Sequence, residues 1–283
     1  MTIAEFDINN AFLQTFKGKD GRYCLLIQNG KVSKASEDSC ALRREGKTHN
    51  ILYHRHDDRI RIEVIVSQDN DADWLPLREG CITGSKTGTM CAVNPYESVR
   101  DFFMYMWFWS FDCPFEGNEF TEHGKACEPL ARKWHEDALG VKVEDGTFFL
   151  HRNPFYAAFR YSDDGKVYIK GILERLAEYK CPIRDLYKDI VPAYYMCQIQ
   201  MGMEMLDIDW CDFVVVLFDM ETKEFKKGYI VRVPRSREFW AWEFAQICFF
   251  MKYMHACAIP YWDKPPIKAP GVNFEIVYRR SQI

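Results

Sequence analysis

The sequence predicts an α/β fold: a mixed central sheet flanked by helices, preceded by a strand-rich N-terminal extension. Three observations predict it. Residues 1–70 string together short β-type runs and turn residues, with no helical period among them. From Trp74 onward, long segments of helical spacing bracket a cluster of short β-type segments. Apolar residues make up 48% and aromatics 16% of 283 residues, which is enough to bury a substantial core under both layers. Helices, a strand cluster, a helix and more strands do not alternate as a barrel would.

In the N-terminal extension, Tyr23 to Gln28 reads as a strand and Asn29-Gly30 as a hairpin turn. Ile51 to Tyr53 and Ile60 to Val66 are two more strands around His56-Asp57-Asp58, and the acidic run Asp69, Asp71, Asp73 marks a boundary loop. A core follows over residues 71–258. Ser98 to Trp109 is apolar on most faces and predicts a buried helix. Ala126, Leu130, Ala131, Trp134 and Ala138 give Lys125 to Leu139 helical spacing, with Gly140 as its C-cap. Short β-type segments run Thr147 to Leu150, Phe155 to Tyr161, Val167 to Ile172 and Leu176 to Lys180. Ile190 to Leu206 is a second long helix, with Pro192 tolerated only in its first turn. Phe213 to Phe218 and Tyr229 to Val233 are strands. Ser236 to Ala258 is a third long helix, with Ser236 as N-cap and Glu238 favourable in its first turn. A proline-rich tail, residues 259–283, ends the chain.

Composition excludes several classes. A net charge of −4 argues against a purely electrostatic nucleic-acid binder, so a nucleic-acid enzyme here must gather its basic residues around one channel. The first ten residues carry Glu5 and Asp7 where a secretory leader needs positive charge and then an apolar run. The longest apolar stretch, Phe102 to Trp109, is too short to span a bilayer, so no membrane role is expected. Eleven cysteines without a framework read as reduced thiols in the cytoplasm, and the absence of any C-x-x-C disfavours zinc ribbons and iron–sulfur clusters. His123 and Cys127, and His54 and His56, lack the partners a zinc site needs. No G-x-x-x-x-G-K occurs, so ATP hydrolysis is not indicated.

Chemistry concentrates between Tyr161 and Phe213. Ser162-Asp163-Asp164-Gly165 is followed by Glu178-Tyr179-Lys180-Cys181-Pro182, then by Gln198-Ile199-Gln200 and Cys211-Asp212-Phe213. On a strand, Glu178 and Lys180 project from one face while Tyr179 turns into packing. A turn at Asp164-Gly165 returns a second carboxylate to the same spot. Two converging carboxylates beside a lysine suit Mg²⁺, which prefers oxygen ligands and uses only one or two protein carboxylates. By themselves, E-x-K and Asp-Gly are everyday surface and turn features.

The ordered set resembles the phage lambda exonuclease and YqaJ-type viral recombinase family of PD-(D/E)XK nucleases. Trp74 and Arg78 lead into Ile82-Thr83-Gly84-Ser85, then Asn94-Pro95-Tyr96, Glu128, Ser162 to Gly165, Glu178 to Pro182, Gln198, Gln200 and Cys211 to Val214. The resemblance covers residues 74 to about 255. It implies a restriction-endonuclease-like core and Mg²⁺-dependent hydrolysis of DNA phosphodiesters, with Mn²⁺ as a substitute ion. The action it implies is exonucleolytic, 5′ to 3′ on linear duplex ends, in viral recombination or replication, within a host cytoplasm or nucleus. It also implies a homotrimer around DNA and a single-strand annealing protein as partner.

Carried over by residue, the resemblance implies that Asp164 and Glu178 ligate the metal, with the Tyr179 carbonyl as a further oxygen. Lys180 is the implied catalytic lysine. Glu128, on a helix, lends a carboxylate to the metal site. One of Gln198 and Gln200 faces the site, since the helical period forbids both; Gln198 is preferred, and Tyr194 shares its face. Arg78, Ser85 and Ser162 would hold a 5′-phosphate.

The chain departs from the family pattern at Asp163, where proline is usual, so the ligand depends on register; Asp164 is preferred because it precedes Gly165. Fourteen positions separate Asp164 from Glu178, which asks for a bulged or elongated connection. The competing Glu174 is followed by Arg175 and Leu176 and offers no E-x-K. A structure-specific endonuclease, an RNA nuclease of the same superfamily and a non-catalytic DNA-end-binding module stay open as alternatives.

Overall fold

In the computed structural model, the structure describes residue 78, residues 81–106, 117–151 and 158–281, and the backbone of the strands between residues 14 and 65. The chain forms two compact units. The first comprises residues 1–84, 146–162 and 205–207; the second comprises 85–145, 163–204 and 208–283.

Among the described residues, the first unit contributes mainly strands. β1 (Gln14–Lys17) and β2 (Tyr23–Leu26) pair antiparallel. β3 (Lys31–Ala35), β4 (Ser39–Arg44), β5 (Lys47–Leu52) and β6 (Arg61–Ile65) continue through β9 (Phe148–His151) and β10 (Phe159–Ser162) to β7 (Ile82–Thr83) in one seven-stranded sheet. Only β10–β7 among these pairings is parallel. β2 thus pairs with the strand before it. Asn29, Gly30, the His54–Asp58 loop, the acidic run and Trp74 lie outside the described residues.

The second unit holds a mixed six-stranded sheet in the order β15-β14-β13-β12-β11-β8. Its strands are β8 (Val143–Asp145), β11 (Gly165–Ile169), β12 (Ile172–Lys180), β13 (Trp210–Phe218), β14 (Phe225–Pro234) and β15 (Glu275–Ser281). Among the described residues, five helices accompany it: α1 (Gly84–Met90), α2 (Val99–Met104), α3 (Glu119–Leu139), α4 (Ala193–Leu206) and α5 (Arg237–Ala256). β12 and β13 run parallel, joined through α4, and every other pairing is antiparallel. A parallel pair needs such a crossover, and this one carries Gln198 back over β12. β13 is buried from Cys211 to Phe218, as its unbroken apolar run requires of a central strand.

Strand alternation divides the packing. Ala177 and Tyr179 of β12, with Val214, Val216 and Phe218 of β13, join Cys127 and Ala131 of α3 in one apolar core. Phe250 of α5 stacks on Phe102 and meets Phe103 of α2 edge-on. Several helix ends follow the sequence closely. Asn118 caps α3, accepting from the N–H groups of Phe120 and Thr121, and Gly140 closes it in the left-handed region (φ 63°). Ser236 accepts from the Phe239 N–H at 3.2 Å, the cap the sequence indicated. α3 begins six residues before the expected Lys125 because Asn118 supplies a capping box ahead of the apolar stripe. The proline-rich tail does more than end the chain: its last residues form β15 and pair with β14.

Candidate active site

The β11–β12 hairpin positions the reactive groups. Its strands pair from Gly165↔Ala177 to Ile169↔Ile172, with an irregularity between Val167 and Tyr168. Lys170 (φ 52°) and Gly171 (φ 81°) make the turn. The fourteen positions between Asp164 and Glu178 are therefore two strand lengths and one turn. Gly165 fits this geometry through space rather than φ. A Cβ there would lie 2.7 Å from Val143 Cγ1 and 3.4 Å from the Tyr179 ring, so a side chain would push β11 off its neighbours and carry Asp164 with it.

Asp164 Oδ2 accepts the Tyr179 N–H at 2.9 Å and lies 4.0 Å from Lys180 Nζ. Lys180 Nζ donates to Glu178 Oε1 at 2.5 Å, and Gln198 Nε2 donates to the same oxygen at 2.5 Å. Asp164, Glu178, Lys180 and Gln198 thus converge. Gln200, two residues along α4, does not join them. It is fully buried, donates to the Pro234 carbonyl at 2.9 Å and accepts the Ser236 N–H at 2.7 Å, clamping the β14–α5 connection.

Burial pushes the Glu178 carboxyl up, to about 8, and the charge of Asp164 adds to the rise against the pull of Lys180. Burial also works against the Lys180 ammonium, but Glu178 and Asp164 outweigh it, so that group is held above its ordinary value. The result is a fully buried carboxyl beside a second carboxylate, with one cation between them.

Glu128 reaches this centre through Arg132, one turn further along α3. Arg132 Nη2 lies 3.5 Å from Glu128 Oε1 and donates to the Asp164 main-chain oxygen at 3.2 Å, and the same guanidinium pairs with Asp145. Arg132 was not singled out from the sequence, although its i,i+4 spacing from Glu128 puts the two on one helix face. Tyr195 was also missed; its ring lies 4.9 Å from Lys180 Nζ, and its hydroxyl is 3.1 Å from that of Tyr187. Its signal was its place three residues before Gln198.

Arg78 is half-buried, Ser85 is exposed in the first turn of α1, and the half-buried Ser162 donates to the Thr147 carbonyl at 3.3 Å. Arg78 and Ser162 belong to the first unit and Ser85 to the second. Tyr179 sends its side chain away from the carboxylates, with its hydroxyl 3.0 Å from His135 Nδ1. His123 and Cys127 interact with each other and with Lys223. The described cysteines are all free thiols.

Among the described residues no three His, Cys, Asp or Glu side chains gather as a metal cage. Two carboxylates and a neighbouring main-chain carbonyl still fit Mg²⁺ or Mn²⁺, which keep several waters and need few protein oxygens. The buried, doubly acidic pair also lacks the positive charge that a divalent ion would bring. Among the described residues no helix is long and apolar enough to cross a membrane.

Comparison with known proteins agrees with this architecture. An alkaline exonuclease from Laribacter hongkongensis has a similar fold, at TM-score 0.50 and 22% identity over 65% of this chain and 93% of that one. The same exonuclease in complex with dAMP matches to the same degree. A phage-related exonuclease from Haemophilus somnus is 18% identical, at TM-score 0.47 over 62% of this chain and 94% of that one. In sequence, the uncharacterized protein R354 of Acanthamoeba polyphaga mimivirus is 25% identical over 178 residues, 56% of this chain. The match spans about a third of that relative's length (32%). Residues 73–207 match the YqaJ-like viral recombinase domain, and they contain Asp164, Glu178, Lys180, Gln198 and Glu128. Residues 73–207 are therefore similar to the YqaJ-like viral recombinase domain, and the fold is similar to that of the alkaline exonuclease.

Proposed function

We propose that this protein is a Mg²⁺-dependent DNA exonuclease that hydrolyses phosphodiester bonds from linear duplex ends, in the 5′ to 3′ direction. The observation that carries the reading is the convergence of Asp164, Glu178 and Lys180 at the β11–β12 hairpin, inside the YqaJ-like segment. Asp164, Glu178 and the Tyr179 carbonyl would hold the ion, with Glu128 contributing directly or through water. When bound, the ion would acidify a water and stabilise charge on the scissile phosphate.

The protein's own groups divide the remaining work. Gln198 fixes the Glu178 oxygen that it shares with Lys180, so that carboxyl presents a constant face. Arg132 holds the main chain at Asp164 from behind. Lys180, kept protonated by its two carboxylate neighbours, offers positive charge to a phosphate oxygen and orients the attacking water. Arg78, Ser85 and Ser162 are each assigned to the 5′-phosphate in this reading: a guanidinium grips phosphate by parallel hydrogen bonds, and hydroxyls donate to the remaining oxygens. Ser162 would have to turn its hydroxyl from the Thr147 carbonyl to do so.

End-labelled linear duplex, incubated with and without Mg²⁺ beside an unnicked circular plasmid, tests the proposal. Release of 5′-terminal nucleotides from the linear duplex, only with Mg²⁺ and with the plasmid left intact, is the expected result. Linearisation of the plasmid would replace the exonuclease by an endonuclease, and no cleavage under any ion would leave only a DNA-end-binding module.

A further inference from the structure

Tyr96 is a large aromatic side chain left 80% exposed on the surface. Its backbone is nonetheless firmly held. The Tyr96 N–H donates to Asn94 Oδ1 at 3.0 Å, Asn94 Nδ2 donates to Thr89 Oγ1 at 2.8 Å, and that hydroxyl donates to Glu97 Oε2 at 2.9 Å. Lys86 pairs with Glu97 at 3.0 Å. The turn is thereby tied to α1, and α1 is pressed onto α4: a Cβ at Gly88 would lie 2.7 Å from the Cα of Tyr194. Tyr96 meets Tyr194 edge-on, with centroids 5.8 Å apart and planes at 85°. Tyr194 packs on Tyr195 at 4.2 Å, and Tyr195 lies beneath Lys180 Nζ at 4.9 Å. A ladder of three rings therefore runs from the surface to the lysine of the carboxylate site.

We propose that the exposed face of Tyr96, the outer rung of this ladder, is a stacking platform for an unpaired nucleobase of the strand held at Lys180. The inference rests on the nuclease reading above and adds a base-binding subsite to it. Leaving a large ring in water forfeits the gain of burying it, and four side-chain contacts that fix the turn beneath it add order without covering it. An exposed, rigid ring beside a phosphodiester site suits stacking, because the ordering is already done before the ligand arrives. Stacking also accepts any base, as an enzyme that removes nucleotides in succession requires. Tyr194 and Tyr195 transmit the position: they are carried by the helix that also holds Gln198 against Glu178, so a base on Tyr96 is registered to the reacting centre.

The test uses the full chain with Mg²⁺ and short linear duplexes, either intact or with the base removed at one of the terminal nucleotides in turn. Tyr96→Ala is expected to lower kcat/KM on intact duplex about tenfold, while Tyr96→Phe stays near the parent. At one abasic position the parent should fall to the level of Tyr96→Ala, and the two should then cut equally. Loss by Tyr96→Ala that persists undiminished at every abasic position would mean a role in the fold and overturn the proposal. So would equal loss by Tyr96→Phe, which would point to the hydroxyl, or no loss by Tyr96→Ala at all. A parent protein that cuts no duplex would remove the nuclease reading and this subsite with it, whereas the preceding outcomes leave that reading standing.

Discussion

Two fully buried carboxylates lie one strand apart in the central sheet, and their surroundings have opposite character. Asp212 of β13 faces α3. It accepts from Arg175 Nε at 2.9 Å, from Arg232 Nε at 2.9 Å and lies 3.3 Å from His135 Nε2. Burial works against its charge, but the hydrogen bonds from His135 and Arg232 and the charge of Arg175 win, and its carboxyl is held below the ordinary range. Glu178 of β12 faces α4 with one lysine and one amide for company, and burial and Asp164 win there. The register Ala177↔Asp212 and Glu178↔Phe213 puts the two carboxylates on opposite faces of the sheet. One cluster is electrically complete and ties β12, β13, β14 and α3 together. The other keeps two carboxylates beside a single lysine, the arrangement on which the proposed metal site rests.

The comparison can be broken most forcefully at Asp212. Asp212→Ala would strand two guanidinium groups under the sheet and is expected to cost roughly 3–5 kcal/mol, measured by denaturant unfolding. A loss below about 1 kcal/mol, in the range of an exposed pair, would mean that the cluster is not a structural fastener.

At the other carboxylate the expected loss is catalytic. Asp164→Asn, Glu178→Gln and Lys180→Ala should each reduce cleavage by at least about 10²-fold with circular dichroism unchanged. Near-normal cleavage by Asp164→Asn beside an inactive Asp163→Asn would move the ligand one residue back.

Metal sharpens the contrast. Mg²⁺ at a hundredfold excess over Kd should stabilise the parent by about 2.7 kcal/mol, and the rise in Tm should vanish in Glu178→Gln. An equal rise in both would put the ion elsewhere. Cleavage should stop on exhaustive chelation.

The smallest effect is on pH. Because the folded Asp212 carboxyl is depressed below 3.8, its stabilisation is complete above that value and is lost as pH falls through the folded value. The difference in Tm between the parent and Asp212→Asn should therefore be full at neutral pH and shrink as the solution is taken below 3.8. A difference that is constant with pH would show that packing, not charge, sets the penalty.

The sequence by itself determined the local order of this protein. Alternation placed Glu178 and Lys180 on one face of β12 and Tyr179 on the other, and capping residues such as Ser236 and Gly140 marked where helices start and stop. It also supplied the motif order that signals the YqaJ-like segment. Period-based reasoning allowed only one of Gln198 and Gln200 to face the site, and α4 turns Gln198 to Glu178 while Gln200 clamps Pro234 and Ser236. What only the tertiary structure decided is which distant groups meet. Arg132 lies 32 positions before the oxygen it holds, and Asp212 takes its partners from three other elements, so no local pattern encodes either contact. Periodicity and capping act within a few residues, whereas strand partners and buried charge clusters are chosen by how whole elements pack.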